Sequence, residues 1–149
     1  MPDELLRPTI GAGVDLKVRP WRLMSQTYVA FFGGAIASTV IAFLNARRLG
    51  VDAAGRRLIL LTGAAGLVAV TIALALPFGE YDETPVPSVV VTAIAMVCSY
   101  VQQRIQRPMD RAFQLRGTDY RPLWGPGIAA TVGGVAVQIL IAALVDGVL

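Results

Sequence analysis

Arginine is the residue type with the most chemical capacity in this chain. Arg47, Arg48, Arg56 and Arg57 form one group and Arg104, Arg107 and Arg111 a second, with Arg116 and Arg121 close behind. Guanidinium groups at this density suit the binding of phosphate or carboxylate, on an anionic lipid leaflet or on an acidic partner chain. Near a membrane surface each basic side chain is worth about 1 kcal/mol of attraction, so several acting together matter more than any one contact. The plainer alternative is that these arginines only set the orientation of the chain in a membrane.

Other reactive types are scarce or badly placed. Glu80, Asp82 and Glu83 could hold a hard cation weakly through oxygen, but they lack the spacing of a calcium loop and suit a solvated turn better. Ser99 has no base to activate it, because the chain contains no histidine, and no Gly-x-Ser-x-Gly turn is present. With Cys98 as the single cysteine, the ligand sets for zinc, copper or bis-imidazole haem are missing too, and no intrachain disulfide can form. Gly11-Ala12-Gly13 lacks the Gly-Lys-Ser/Thr ending of a phosphate loop. No catalytic residue, cofactor, metal or nucleic acid is therefore expected, and the chain reads as a non-enzyme.

The elements that carry these residues are unusually apolar. Of 149 residues, 55% are hydrophobic and only 15% are charged, against roughly 25% charged in soluble domains; mean hydropathy is +0.62. Four uncharged windows, Leu23 to Ala46, Leu58 to Gly79, Thr84 to Gln103 and Pro122 to Val145, are each long enough to cross a bilayer. About 20 apolar residues suffice to cross a ~30 Å hydrocarbon core, and a helix is the open-chain backbone that satisfies its own polar groups there. The expected fold is an all-α integral membrane protein: an irregular arm over 1–22, then four transmembrane helices near 27–45, 58–77, 86–103 and 126–145, arranged as two hairpins. The second window holds ten Leu, Ile or Val residues between Leu58 and Leu76, a favourable insertion of roughly 3 to 6 kcal/mol.

Small residues recur every four positions in three windows: Ala30, Gly34 and Ser38; Ala65, Ala69 and Ala73; Gly125, Ala129 and Gly133. Each row is a smooth stripe on which another helix, of this chain or of a second copy, can approach closely. After Pro108, Met109, Ala112, Phe113 and Leu115 fall on one side of a helix and Arg107, Arg111 and Gln114 on the other. That pattern predicts a short amphipathic helix lying on the membrane surface between the third and fourth spans; an irregular solvated loop is the alternative. Trp21, Tyr28, Tyr81, Tyr100, Tyr120 and Trp124 fall near headgroup levels, as interfacial anchors do.

Arginine placement orients the chain. Both arginine groups are expected in the cytoplasm and the acidic turn 80–83 outside, which puts both ends of a four-span chain outside. Lys17, Arg19 and Arg22 stand awkwardly against that arrangement, because they adjoin the first window. A break at Gly33-Gly34 would turn that window into a re-entrant hairpin and bring every basic residue to one side. Four complete spans remain the preferred expectation, since lipid-exposed non-helical backbone is not tolerated and four helices offer little cover. Twelve arginines against one lysine, with abundant Ala, Gly and Val, are the bias of a GC-rich bacterial genome, so the expected location is a bacterial cell (inner) membrane.

The stretch from Tyr28 through Gly33-Gly34-Ala35 to Ser38, continuing through Leu44-Asn45-Ala46-Arg47-Arg48-Leu49-Gly50, resembles the opening of a set of small bacterial multi-pass membrane proteins. In those, a Gly-Gly-Pro turn precedes an Arg-Asn-x-x-x-Leu-Gly ending; here Ala35 replaces the proline and the order around Asn45 is altered. The resemblance covers about residues 28 to 76, with a fainter echo from Arg121 to Trp124, and implies a membrane fold without an activity. Small multidrug-resistance exporters also have four short spans, but their coupling carboxylate has no equivalent between Thr27 and Leu44. Proton-coupled export is thus not expected. The expected role is an accessory or scaffold protein with the bilayer, other membrane proteins or further copies of itself as partners; an oligomeric channel is the alternative.

Overall fold

A computed structural model describes residues 19–75, 86–115 and 119–148. The described residues form four helices, α1 (Leu23–Leu49), α2 (Ala53–Ala75), α3 (Val86–Gln114) and α4 (Trp124–Val148), each long and apolar enough to cross a membrane. The helices extend past the expected spans, so Arg47, Arg48, Arg56, Arg57, Arg104, Arg107 and Arg111 lie in helix ends and not in loops. The acidic turn 80–83, the Gly11-Ala12-Gly13 segment and the arm over 1–18 lie outside the described residues.

The first helix is where the structure departs furthest from a row of straight spans. Gly34 sits at φ 74°, ψ −169°, a conformation essentially restricted to glycine, and breaks α1 into two arms, 23–33 and 35–49. The arms fold back on each other. Leu23, at the foot of the first, packs in one cluster with Ala42, Ala46 and Leu49 of the second. At ~1.5 Å per residue the arms are about 16 and 22 Å long, each short of a ~30 Å hydrocarbon core. Helix α1 is therefore a helical hairpin standing among three long helices.

This hairpin is the centre of the bundle. It contacts α2, α3 and α4, which wrap it, while α3 and α4 do not touch among the described residues. The expected second hairpin is thus opened, with α1 lying between its two members. Cover of this kind removes the objection to a hairpin in lipid, because Gly33, Gly34 and Ala35 are all buried by protein.

Short connections fix the order. Gly50, left-handed at φ 73°, ends α1, and the Asp52 carboxylate accepts the Gly55 amide at 3.0 Å to start α2. Helix α3 runs on through Pro108 to Gln114, so the separate surface helix expected there is the last part of α3. Its apolar side explains the continuity: Met109 and Phe113 pack on the cluster at the hairpin foot instead of on lipid headgroups. After α3 the chain returns to the hairpin, where the Arg121 amide donates to the Pro20 carbonyl at 2.9 Å and Trp21 pairs with Arg121.

Outward, the helices present Leu58, Leu61, Val68, Ile72, Val97, Ile128, Val132, Ile139, Leu140 and Leu144, all exposed. Large apolar side chains on the outside of every long helix fit lipid as the surrounding solvent.

Candidate functional site

Helix α3 carries Ser99, Gln102, Gln103, Gln106 and Asp110, spaced so that all five face one way. All are buried, and the face they form looks onto the hairpin. The hairpin answers with Gln26 and Thr27 on its first arm and Thr39 and Asn45 on its second.

Three of the amides, those of Asn45, Gln106 and Gln26, meet one another. Asn45 Nδ2 donates to Gln106 Oε1 at 3.0 Å, and Gln26 and Gln106 exchange amide contacts at 3.5 and 3.4 Å. Gln103 Nε2 donates to Thr27 Oγ1 at 3.0 Å and to Ser99 Oγ at 3.1 Å. Deeper, Gln102 Nε2 reaches Thr39 Oγ1 at 2.8 Å, and the Thr39 hydroxyl donates to the Ala35 carbonyl at 2.7 Å, beside the Gly34 break. Without such partners each polar group would cost several kcal/mol away from water. Gln102 Oε1 is the exception, buried with no partner.

At the hairpin foot, the Trp21 amide donates to Asn45 Oδ1 at 2.7 Å, and the Arg48 guanidinium lies 4.0 Å from the Trp21 ring centre. Trp21 is 1% exposed and is therefore a core residue, not the interfacial anchor expected, whereas Trp124, at 80%, and Tyr28, at 70%, lie on the outside. The Tyr120 hydroxyl donates to Asp110 Oδ1 at 2.9 Å, and Gln114 Nε2 donates to the other carboxylate oxygen at 3.0 Å. Burial holds the Tyr120 phenol above its usual ionisation range, with Gln114 pulling it down and Asp110 pushing it up.

The arginines gather at this same end. Arg48 donates to the Arg19 carbonyl at 3.3 Å, Arg22 lies 5.6 Å from the Tyr120 ring, and Arg104 holds the Tyr100 hydroxyl at 2.9 and 3.1 Å with Arg107 over the ring. Arg47, Arg57, Arg104, Arg107 and Arg111 are exposed, and Arg48 and Arg56 partly so. Folding α1 back brings Arg19 and Arg22 into the company of the seven arginines singled out in the sequence.

The small-residue stripes fare differently. Ala30, Gly34 and Ser38 are buried inside the bundle. On α2 only Ala73 of its stripe is buried; Ala65 is exposed and Ala69 half-buried, and the close contacts come from Gly63 against Thr39 and Gly66 against Cys98. On α4, Gly125, Ala129 and Gly133 face outward, and a side chain at Gly125 or Gly133 would meet nothing within 4 Å. Gly134 makes the approach in their place, lying against the Gly33 carbonyl and Ala37.

Among the described residues no three His, Cys, Asp or Glu side chains gather as a metal site would require. The arrangement can hold a hairpin in an apolar surrounding and can present cations at one end; among the described residues no base stands beside Ser99, whose hydroxyl accepts from Gln103. The chain matches no protein-family model, no curated protein and no solved structure.

Proposed function

We propose that this chain is a non-enzymatic integral membrane scaffold whose arginine end rests on an anionic lipid surface and there serves other membrane proteins or further copies of itself. The carrying observation is the fold-back of α1 at Gly34, which collects all ten described arginines at one end of the bundle. In this reading the first window is re-entrant: it enters and leaves the bilayer on the arginine side, and α2, α3 and α4 make three complete crossings. The positive-inside bias is then met without exception, with Arg19, Arg22 and both arginine groups in the cytoplasm of a bacterial cell and the far end of α4 across the inner membrane.

The glutamine set supports a scaffold over a pore. Apart from the Gln102 oxygen, its amides are spent on each other and on the hairpin, and the one buried carboxylate among the described side chains, Asp110, sits at the arginine end in the grip of Tyr120 and Gln114. A coupled transporter needs a group within the membrane that changes charge.

Two measurements test this reading. Native mass spectrometry after mild-detergent purification should find retained anionic phospholipid, and Arg104→Gln, Arg107→Gln and Arg111→Gln together should weaken it by up to about two orders of magnitude, at ~1 kcal/mol per charge. Sealed vesicles containing the protein should show no ion flux above empty ones. Lipid retention untouched by the triple change, or a saturable flux, refutes the scaffold.

A further inference from the structure

Beside the hairpin, on the side where α4 leans against the first arm of α1, lies an open groove of about 600 Å³. Its wall is apolar: Val29 and Phe32 from α1 face Leu123, Ile128 and Val132 from α4 and the segment before it. Volume alone places it among sites that hold a small molecule or a lipid chain, which run to ~300–1,000 Å³. The groove has a direction. Ser25 and Trp124 line the end nearest the arginines, and Thr131, packed against Gly33 at the hairpin turn, lines the deep end.

Its shallow end is marked by charge and by aromatic rims. Arg22 precedes Ser25 by one helical turn, and Arg121 precedes Trp124 by three residues. The pairing of Trp21 with Arg121 brings these two stretches of backbone together below the groove, with the Arg22 guanidinium over the Tyr120 ring and Arg121 beside Arg48. Arg22 and Arg121 are both exposed. Tyr28 and Trp124, largely exposed on the two walls, combine an apolar ring with a polar edge, as residues at a headgroup boundary do. Basic pockets between helices at this level of a membrane take anionic headgroups.

We infer that this groove is a binding site for one anionic phospholipid, with an acyl chain lying between α1 and α4 and the phosphate held by Arg22 and Arg121. The inference rests on the membrane placement proposed above and adds a discrete site, on other arginines, to the general basic face. The lipid lies against the hairpin turn, so its chain completes the apolar cover that α4 leaves open on this side.

The two tryptophans, Trp21 and Trp124, allow a direct test in vesicles. The protein is reconstituted in phosphatidylcholine containing a small fraction of phosphatidylglycerol, with a dibrominated chain on one lipid or the other. The quenching specific to Trp124 is the difference between the parent and Trp124→Phe. Brominated phosphatidylglycerol should quench it with about tenfold higher relative affinity than brominated phosphatidylcholine, and Arg22→Gln with Arg121→Gln should bring that ratio to about one. The triple change at Arg104, Arg107 and Arg111 should lower total anionic lipid retained and leave this ratio in place, which separates the groove from the basic face. Equal quenching by both lipids, or a preference that survives the Arg22 and Arg121 changes, overturns the site. Quenching by neither, with a dimer in detergent, assigns the groove to a second copy and overturns it equally.

Discussion

The backbone amide of Trp21 donates to the side-chain oxygen of Asn45 at 2.7 Å, although they stand 24 positions apart and every residue between them except Arg22 and Gly34 is helical. A straight helix over that distance would hold them about 35 Å apart. The bond closes the two arms of α1 at the foot, as the Gly34 turn closes them at the tip, and Asn45 passes the constraint to Gln106 on α3.

Replacing Asn45 by Leu should leave the Trp21 amide and part of Gln106 unpaired in the core. A loss of about 1–3 kcal/mol is expected, the usual penalty for orphaning a buried polar group. Reversible unfolding in mixed detergent micelles measures it, and a variant as stable as the parent would mean that the clasp contributes nothing.

The glycines separate turn from surface. Gly34→Ala forces a side chain into a glycine-only conformation and against Gln138, and should cost roughly 1–3 kcal/mol. Gly134→Ala meets the Gly33 carbonyl and should also destabilise, whereas Gly133→Ala, one residue away, meets nothing and should gain up to about 1 kcal/mol from helix propensity. The same unfolding assay ranks all three, and equal effects at Gly133 and Gly134 would contradict the packing of α4.

Much of this fold was legible in the residues. Uncharged windows located all four helices, because charge is too costly in hydrocarbon to be scattered through a span. The stripes were harder. In lipid both faces of a helix are apolar, so the row Gly125, Ala129, Gly133 carries no mark distinguishing it from Gly127, Thr131 and Gly134, which turn inward. The hairpin did leave traces, in Gly33-Gly34 and in the misfit of Arg19 and Arg22, but its cover comes from three other helices whose placement no local pattern contains. The glutamine face had a signal in the spacing of Ser99, Gln102, Gln103 and Gln106. It was divided by Arg104, which ended the uncharged window and left Gln106 outside.

Double replacement should reveal the cross-link between hairpin and α3. Gln26→Leu and Gln106→Leu each remove one half of a reciprocal amide pair, so their combined cost should fall short of the sum. A coupling of about 0.6 to 1.7 kcal/mol fits interhelical hydrogen bonds in membrane proteins. Strict additivity would place the two amides out of contact.

Tyr120 gives the linker before α4 a dependence on alkali. Burial raises its ionisation range above the ordinary value of 10.0, so the folded phenol keeps its proton where an unfolded one loses it. The contribution to stability is whole below pH 10.0 and is lost as pH rises through the raised folded value. Near-ultraviolet absorbance titration of the parent against Tyr120→Phe should show one phenol ionising late; a Tyr120 component at the ordinary value would contradict its burial against Asp110.

Sidedness of the hairpin decides the account most directly. In a Cys98→Ala background, single cysteines at Arg19, Arg57 and Gly147 are exposed to a membrane-impermeant maleimide in sealed vesicles of known orientation. A re-entrant first window requires Arg19→Cys and Arg57→Cys to label from one face and Gly147→Cys from the other. Labelling of Arg19→Cys from the face opposite Arg57→Cys would mean that α1 crosses the membrane completely, and the fold-back at Gly34 would be wrong.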